Sequence, residues 1–416
     1  MPACAGPPSP ECLHPSGRWA SSFQSLQGSA VSQLFSAFVA AFVGFAASVA
    51  VVLAAAQSLG ATPEQTVSWI AGLCLAKGLA ALFLSWRHRM PIICAWSTPG
   101  AALIAASSGI SLDAAVGAFI VAAVLMIATA FVKPLGALVA RIPMPIASAM
   151  LAGVIFRFVV AVFDEMRVEP MLVGAIVLLF LVVRGFNPFG AVIAALVGGI
   201  GFAFATGLAS APVLPSLMPS FAWAHPVFEP SVMIGIGVPL YLVTMAAQNL
   251  PGFAVLRQAG YQPPTASALA VTGFASLLTA PLGAHMVNMA AISAAICTGP
   301  DTHPDPRERW KAGIWYGLLW CLIALLVAPI LAIMFAMPKA LIVAVAGLGL
   351  IGSLAASLAG AMADEKQRFA AVVTFAVGAS GLSIFGIGAA FWALLAGLAT
   401  LAIERNVAHL KVRGQA

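Results

Sequence analysis

The chain has few charges for its length. Of 416 residues only 13 are Asp or Glu and 19 are Lys or Arg, so that 8% are charged, against about 25% in soluble domains. With 62% hydrophobic residues and a mean hydropathy of +1.04, a soluble globular fold is excluded. Runs of ~20 apolar residues, the length that crosses a bilayer, recur along the chain. The carboxylates are placed as tellingly as they are few. Glu11, Glu64, Asp113, Asp164, Glu165, Glu169, Glu229, Asp301, Asp305, Glu308, Asp364, Glu365 and Glu404 all fall in tails, loops or the ends of apolar runs. The lack of a mid-run acid argues against a site for Na⁺ or a cationic substrate and removes a common proton relay.

Other absences narrow the function. The six cysteines, Cys4, Cys12, Cys74, Cys94, Cys297 and Cys321, form no CxxC or other metal-ligand spacing. Cys4, Cys12 and His14 are too few for a zinc site in the N-terminal tail. No metal or other cofactor is therefore expected. No nucleophile with an adjacent base is visible, which speaks against an enzyme. The net charge of +6 is scattered among short loops rather than massed on one face, so no nucleic-acid partner is expected. No basic n-region precedes a short apolar core at the start, so no cleavable signal peptide is expected. Residues 1–28, rich in Pro, Gly and Ser, read as a disordered cytoplasmic tail.

What is present is an all-α polytopic membrane pattern of fourteen segments. The first seven are 31–56, 66–84, 91–108, 113–131, 145–163, 168–184 and 188–208. The second seven are 231–256, 265–279, 281–297, 312–335, 339–362, 367–384 and 388–404. Residues 209–230 link the halves outside the membrane, and 406–416 form a second cytoplasmic tail. With the N-terminus inside, 15 Lys and Arg fall on the cytoplasmic side and only Arg167 and Lys339 on the other, as the positive-inside rule requires. Seven segments per half inverts the second half relative to the first, giving repeats over 29–208 and 231–405.

The third and tenth segments are broken. In Pro91–Gly109 the pair Pro99-Gly100 interrupts the run, and Pro281–Gly299 follows 190 residues later. At that offset Pro91 meets Pro281, Thr98 meets Asn288, Ala101 meets Ala291 and Gly109 meets Gly299. Paired broken segments point to a transporter's binding site, with substrate near the midplane. The expected local structure is an extended stretch, a cap and a half-helix. Thr98 caps the first half-helix, Pro99 opens it and Gly100 lets a ligand approach the backbone. Asn288 caps the second, running from Met289 to Ile296. Two half-helix N-termini facing one another would favour an anion.

Ser97 and His285 precede the two half-helices. The adjacent amides Gln248 and Asn249 sit in an apolar span and need buried partners. Phe45 and Phe42 could stack on an aromatic ligand, and Ser48 and Tyr241 could face the site. His285 is the only span-embedded group that titrates near neutrality. A transported proton is therefore expected either on His285 or on the substrate's own carboxyl. Lys77 and Arg157 lie within spans without acidic partners there, and both an anion-path role and a structural role stay open.

The runs Ala95-Trp-Ser-Thr-Pro-Gly-Ala-Ala-Leu103, Gln248-Asn-Leu-Pro-Gly252 with Val255-Leu-Arg-Gln-Ala-Gly-Tyr261, and Ala280-Pro-Leu-Gly-Ala-His285 resemble the bacterial benzoate/proton symporter family, the BenE type, over about residues 30–405. The resemblance implies import of benzoate or a related aromatic acid with a proton across the bacterial inner membrane, both termini being cytoplasmic. It also implies the seven-plus-seven architecture of nucleobase permeases and sulfate-type anion transporters, in which a core domain moves against a gate domain. Nucleobase permeases carry carboxylates where this chain has Gln248 and Asn249, which suits a carboxylate substrate instead. Phe45, Ser97, Thr98, Pro99, Gly100, Gln248, Asn249, His285 and Asn288 are the expected substrate-binding set. Alternatives are another small anion, a nucleobase, or a passive anion channel. The oligomeric state stays open, a homodimer included.

Overall fold

The computed structural model describes residues 17–46, 48–107, 109–132, 143–187, 190–211, 219, 221–384 and 387–413. Helices α1 (Gly17–Ala46), α2 (Val49–Ser58) and α3 (Pro63–His88) come first. Strand β1 (Cys94–Trp96) leads into α4 (Thr98–Ala105), followed by α5 (Leu112–Phe131), α6 (Met144–Val168), α7 (Pro170–Phe186) and α8 (Gly190–Ala205). The second half has α9 (Pro230–Gln258), α10 (Thr265–Thr279), strand β2 (Val287–Met289), α11 (Ile292–Thr298), α12 (Trp310–Phe335), α13 (Lys339–Ala361), α14 (Arg368–Ser380) and α15 (Ala389–Arg413).

Nine helical stretches among the described residues are long and apolar enough to cross a membrane, and α7 and α8 are shorter apolar helices. The chain is a mostly helical, multi-pass membrane protein. Large apolar side chains such as Leu178, Phe186, Leu278 and Phe369 are exposed on its outside, where lipid takes the place of water. The remaining expected segments are the two broken ones and α14. Residues 1–16 lie outside the described residues, as do 212–218 and 220 of the linker. From Gly17 the chain is helical, which corrects the expected tail through residue 28. No proline follows Pro15 before Ala46, so nothing local ends the helix. At the C-terminus α15 likewise runs on past residue 405.

Local chemistry sets the ends that matter. A capping box starts α3, with Thr62 Oγ1 accepting the Gln65 N–H at 3.2 Å and Gln65 Oε1 accepting the Thr62 N–H at 2.9 Å. Pro91 then bars a further helix, and the chain runs extended into β1. Strands β1 and β2 pair antiparallel, Ala95 opposite Asn288. Bonds from Ser97 N–H to the Met286 carbonyl and from Ala290 N–H to the Ile93 carbonyl extend the ladder at both ends. The two broken segments thus satisfy each other's backbone at depth, where unpaired groups are costly.

Two sets of helices surround this ladder. In one, α3 packs on α12, α5 on α10, α2 on α4 and α1 on α12 and α11. In the other, α6 packs on α13 and α14, α14 on α15, and α7 on α8. The sets meet where α13 touches α2 and α6 touches α4.

Candidate functional site

A cavity of about 380 Å³ lies between the two sets, within the range of small-molecule sites, roughly 300–1,000 Å³. Both broken segments line it. Ala95, Trp96, Thr98 and Pro99 come from the first, and Ala290, Ala291, Ile292 and Ser293 from the second. Gln248 and Pro251 of α9, Tyr316 of α12 and Lys77 of α3 complete this side. The opposite wall is made of α6 and α13, with the hydroxyls of Ser148, Ser353 and Ser357 among apolar side chains.

Ser97, not Thr98, caps α4. Its Oγ accepts the Gly100 N–H at 3.1 Å and shares a 2.8 Å hydrogen bond with Thr244 Oγ1. Both residues are competent caps, and one step of backbone decides between them: Ser97 keeps the extended conformation (φ −75°, ψ 90°) while Thr98 is already helical. Thr98 is thereby released to line the cavity, and among the described residues no hydrogen bond engages its hydroxyl. Gly100 corrects a second expectation. It is buried away from the cavity, and a Cβ there would stand 2.4 Å from Leu240 Cδ1. Its missing side chain lets α4 pack on α9.

Asn288 lies within β2 rather than capping a helix, and α11 begins at Ile292 without a side-chain cap. Pairing with β1 holds residues 287–289 extended, which delays the helix. With its amide oriented to satisfy its neighbours, Asn288 accepts the Ser97 N–H and donates to the Met289 carbonyl, both at 2.9 Å. Asn249 is also fully buried. Its Oδ1 accepts the Met289 N–H at 2.9 Å, and its Nδ2 faces the sulfurs of Met126 and Met245 at 3.3 Å. A π-helical turn over Met245–Asn249 aims these adjacent amides differently. Asn249 buttresses β2, while Gln248 lines the cavity and makes no hydrogen bond among the described residues.

His285 does not reach the cavity. Its Nδ1 accepts the Trp69 Nε1–H at 3.1 Å, and its Nε2 donates to the Ser97 carbonyl at 3.0 Å. These bonds fix one tautomer and occupy both ring nitrogens. A second ring proton would meet the indole N–H head-on, and in this arrangement the ring braces the two broken segments. Phe45 stands behind the wall, with ring centroids 6.0 Å from Trp96 and 6.1 Å from Trp320. Phe42 is turned outward and stacks on Phe38. Tyr241 pairs with the Thr129 hydroxyl. Ser48 does line the cavity and accepts the Trp96 Nε1–H at 2.7 Å.

Trp96, Tyr316 and Lys77 line the cavity and were not in the expected binding set. Trp96 and Tyr316 form its aromatic wall, the Tyr316 hydroxyl donating to the Cys94 carbonyl at 2.9 Å. Lys77, 2% exposed, places Nζ 3.3 Å from the Trp96 ring centre and 3.0 Å from that of Trp320. Its mid-span position without an acidic partner was the signal. Among the described residues no three His, Cys, Asp or Glu side chains group as metal ligands. The cavity's chemistry is a lysine amino group, hydroxyls, one amide and aromatic faces, a combination that can hold a carboxylate on a ring.

Known proteins resemble this chain over most of its length. The family model described as benzoate membrane transport protein matches residues 27–403. The inner membrane protein YdcO of Escherichia coli (strain K12) is 39% identical over 88% of this chain and 93% of its own length. The benzoate membrane transport protein of Acinetobacter baylyi (strain ATCC 33305 / BD413 / ADP1) is 31% identical over 88% and 94%. Among solved structures, the transmembrane domain of a cyanobacterium bicarbonate transporter, BicA, superposes with a TM-score of 0.57 at 16% identity, covering 86% of this chain and 98% of that one. SLC26A9 gives 0.62 at 12% identity over 90% and 65%. Those two likenesses establish a shared fold. The family is one of transporters, not enzymes. This chain, matched from residue 27 to residue 403, belongs to the benzoate membrane transport protein family.

Proposed function

We propose that this protein imports benzoate or a related aromatic carboxylate together with a proton, by alternating access, across a bacterial inner membrane. The observation that carries the reading is the cavity that both broken segments line, with Trp96 and Tyr316 offering ring faces and Thr98, Gln248 and Lys77 offering partners for a carboxylate. Thr98 and Gln248 are the polar contact residues, and Pro99 shapes the wall between them. Ser97, Gly100, Asn249, His285, Asn288 and Phe45 hold that wall in place. Fourteen segments in two inverted repeats, with the ladder and its flanking helices as core and α6–α8 with α13–α15 as gate, fit the 190-residue correspondence and the distribution of basic residues. In that orientation, with both termini cytoplasmic, the cavity reaches Met144 and Ser357 near the cytoplasmic ends of α6 and α13, the arrangement of an inward-open state.

The test is protein-dependent uptake of radiolabelled benzoate into proteoliposomes, with protein-free liposomes as the control for unaided permeation of benzoic acid. Competition by substituted benzoates, and none by uracil or sulfate, is the expected result. Competition by uracil or sulfate and none by benzoates would replace the substrate. Flux that never exceeds equilibration would mark a channel.

A further inference from the structure

Proton coupling still needs a carrier. His285 has both ring nitrogens engaged, and no carboxylate lines the cavity. Lys77 does line it, on α3, with its Nζ between the faces of Trp96 and Trp320. The four ion pairs among the described residues, Arg167–Asp164, Lys311–Glu308, Lys339–Glu165 and Arg368–Glu365, are all elsewhere. Among those residues no hydrogen bond reaches Lys77 Nζ either. The titratable groups around it are Cys74 on its own helix, Cys94 on β1, Tyr316 and Cys321 on α12 and, further off, His285. They are thiols, a phenol and an imidazole, and none supplies a fixed negative charge. Indole faces attract an ammonium but do not replace a counter-ion in a medium where an unpaired charge is costly.

We propose that Lys77 is the group on which proton and substrate travel together: the carboxylate binds against the protonated amine, and the resulting ion pair is the species moved. This rests on the reading of the cavity as a carboxylate site. The balance is simple. A carboxylate anion and one proton arrive from the same side, the proton adding to the Nζ lone pair. On the other side the carboxylate leaves, the N–H bond breaks, and the proton follows it into water. The loaded cavity is neutral, and so is the empty one with a free amine. Lys77 protonated alone, or a carboxylate facing a free amine, leaves an uncompensated charge that opposes the transition. That prohibition couples the two fluxes one to one and makes transport electroneutral, without any membrane-embedded acid.

The experiment is benzoate binding to purified full-length protein in a weakly buffered solution with a pH indicator, followed by transport in proteoliposomes. Wild type is expected to take up protons on binding, up to one per benzoate, and His285→Gln to do the same. Lys77→Gln is expected to bind benzoate roughly tenfold or more weakly, the loss of a charged hydrogen-bonding partner. Lys77→Arg keeps a charge that is not released. It is expected to exchange labelled for unlabelled benzoate while losing proton-driven accumulation. Lys77→Met, which puts an apolar chain between two indoles, provides a variant that keeps the packing, and it is expected to behave as Lys77→Gln. Wild-type binding without proton uptake, or proton-driven accumulation by Lys77→Gln or Lys77→Met at the wild-type level, would overturn the proposal. Those results leave benzoate transport standing. Wild type that binds no benzoate would instead remove the carboxylate reading and this inference with it.

Discussion

The ring of His285 bonds to the carbonyl of Ser97 at 3.0 Å, joining the turn before β2 to the residue that caps α4. The two broken segments are therefore locked to each other by side chains as well as by the strand ladder. In the proposed alternating access such a site is expected to move as one body, because neither half can shift without breaking buried hydrogen bonds.

His285→Gln keeps at most one of the two ring bonds and is expected to lower thermal stability. The pH dependence of benzoate accumulation should stay as in wild type, since the ring does not line the cavity and both its nitrogens are engaged. Melting of the purified protein and uptake across a pH series give the two readouts. A pH profile displaced by a unit or more would return proton carriage to this histidine.

Ser97→Ala removes the cap of α4 and leaves the Thr244 hydroxyl without its partner. A lost cap costs about 0.5–2 kcal/mol. The expected result is a lower melting temperature and slower transport, with Ser97→Thr recovering part of both. Thr98→Val, by contrast, should leave melting unchanged within error and raise KM for benzoate, because Thr98 faces the cavity and caps nothing. Equal melting losses for Ser97→Ala and Thr98→Val would contradict the placement of the cap.

Gln248 and Asn249 are neighbours with separate tasks. Asn249→Leu orphans the Met289 N–H, a buried donor whose loss of partner costs about 1–3 kcal/mol, and is expected to destabilise the fold. Gln248→Leu should fold normally and weaken benzoate uptake several-fold. Thermal melting set beside uptake kinetics separates the two, and a reversed pattern would exchange their roles.

Gly100→Ala drives a methyl group against Leu240 Cδ1 at 2.4 Å. Overpacking of this kind costs about 1–3 kcal/mol. Adding Leu240→Ala should restore much of the lost stability by opening the space. A single variant as stable as wild type would mean that α4 and α9 can separate freely.

Much of this was legible in the sequence because it depends on local breaks in apolar runs. Pro91 starts an extended stretch, whereas Pro281 sits in a short 3-10 turn closed by Gly283 and the chain extends only beyond it; the 190-residue offset still marks the two segments that meet in space. The errors were equally local in scale. Ser97 and Thr98 are adjacent and equally able to cap, so one dihedral, set by the strand ladder, decides between them. Asn288 reads as a cap only until β1 claims it for a strand. The seating of Lys77 between two indoles was not legible. Lys77, Trp96 and Trp320 come from α3, β1 and α12, and no period or spacing links them. Only the helix crossing of α3 on α12, where Gly78 and Gly317 meet backbone to backbone, brings Lys77 between the two indoles.

The most direct measurement is accumulation of radiolabelled benzoate in proteoliposomes under an imposed inward proton gradient, with and without a protonophore. Expected is protein-dependent accumulation above equilibrium that collapses when the protonophore is added. Folded protein giving no uptake above protein-free liposomes, or accumulation indifferent to the protonophore, would contradict proton-coupled transport of an aromatic acid.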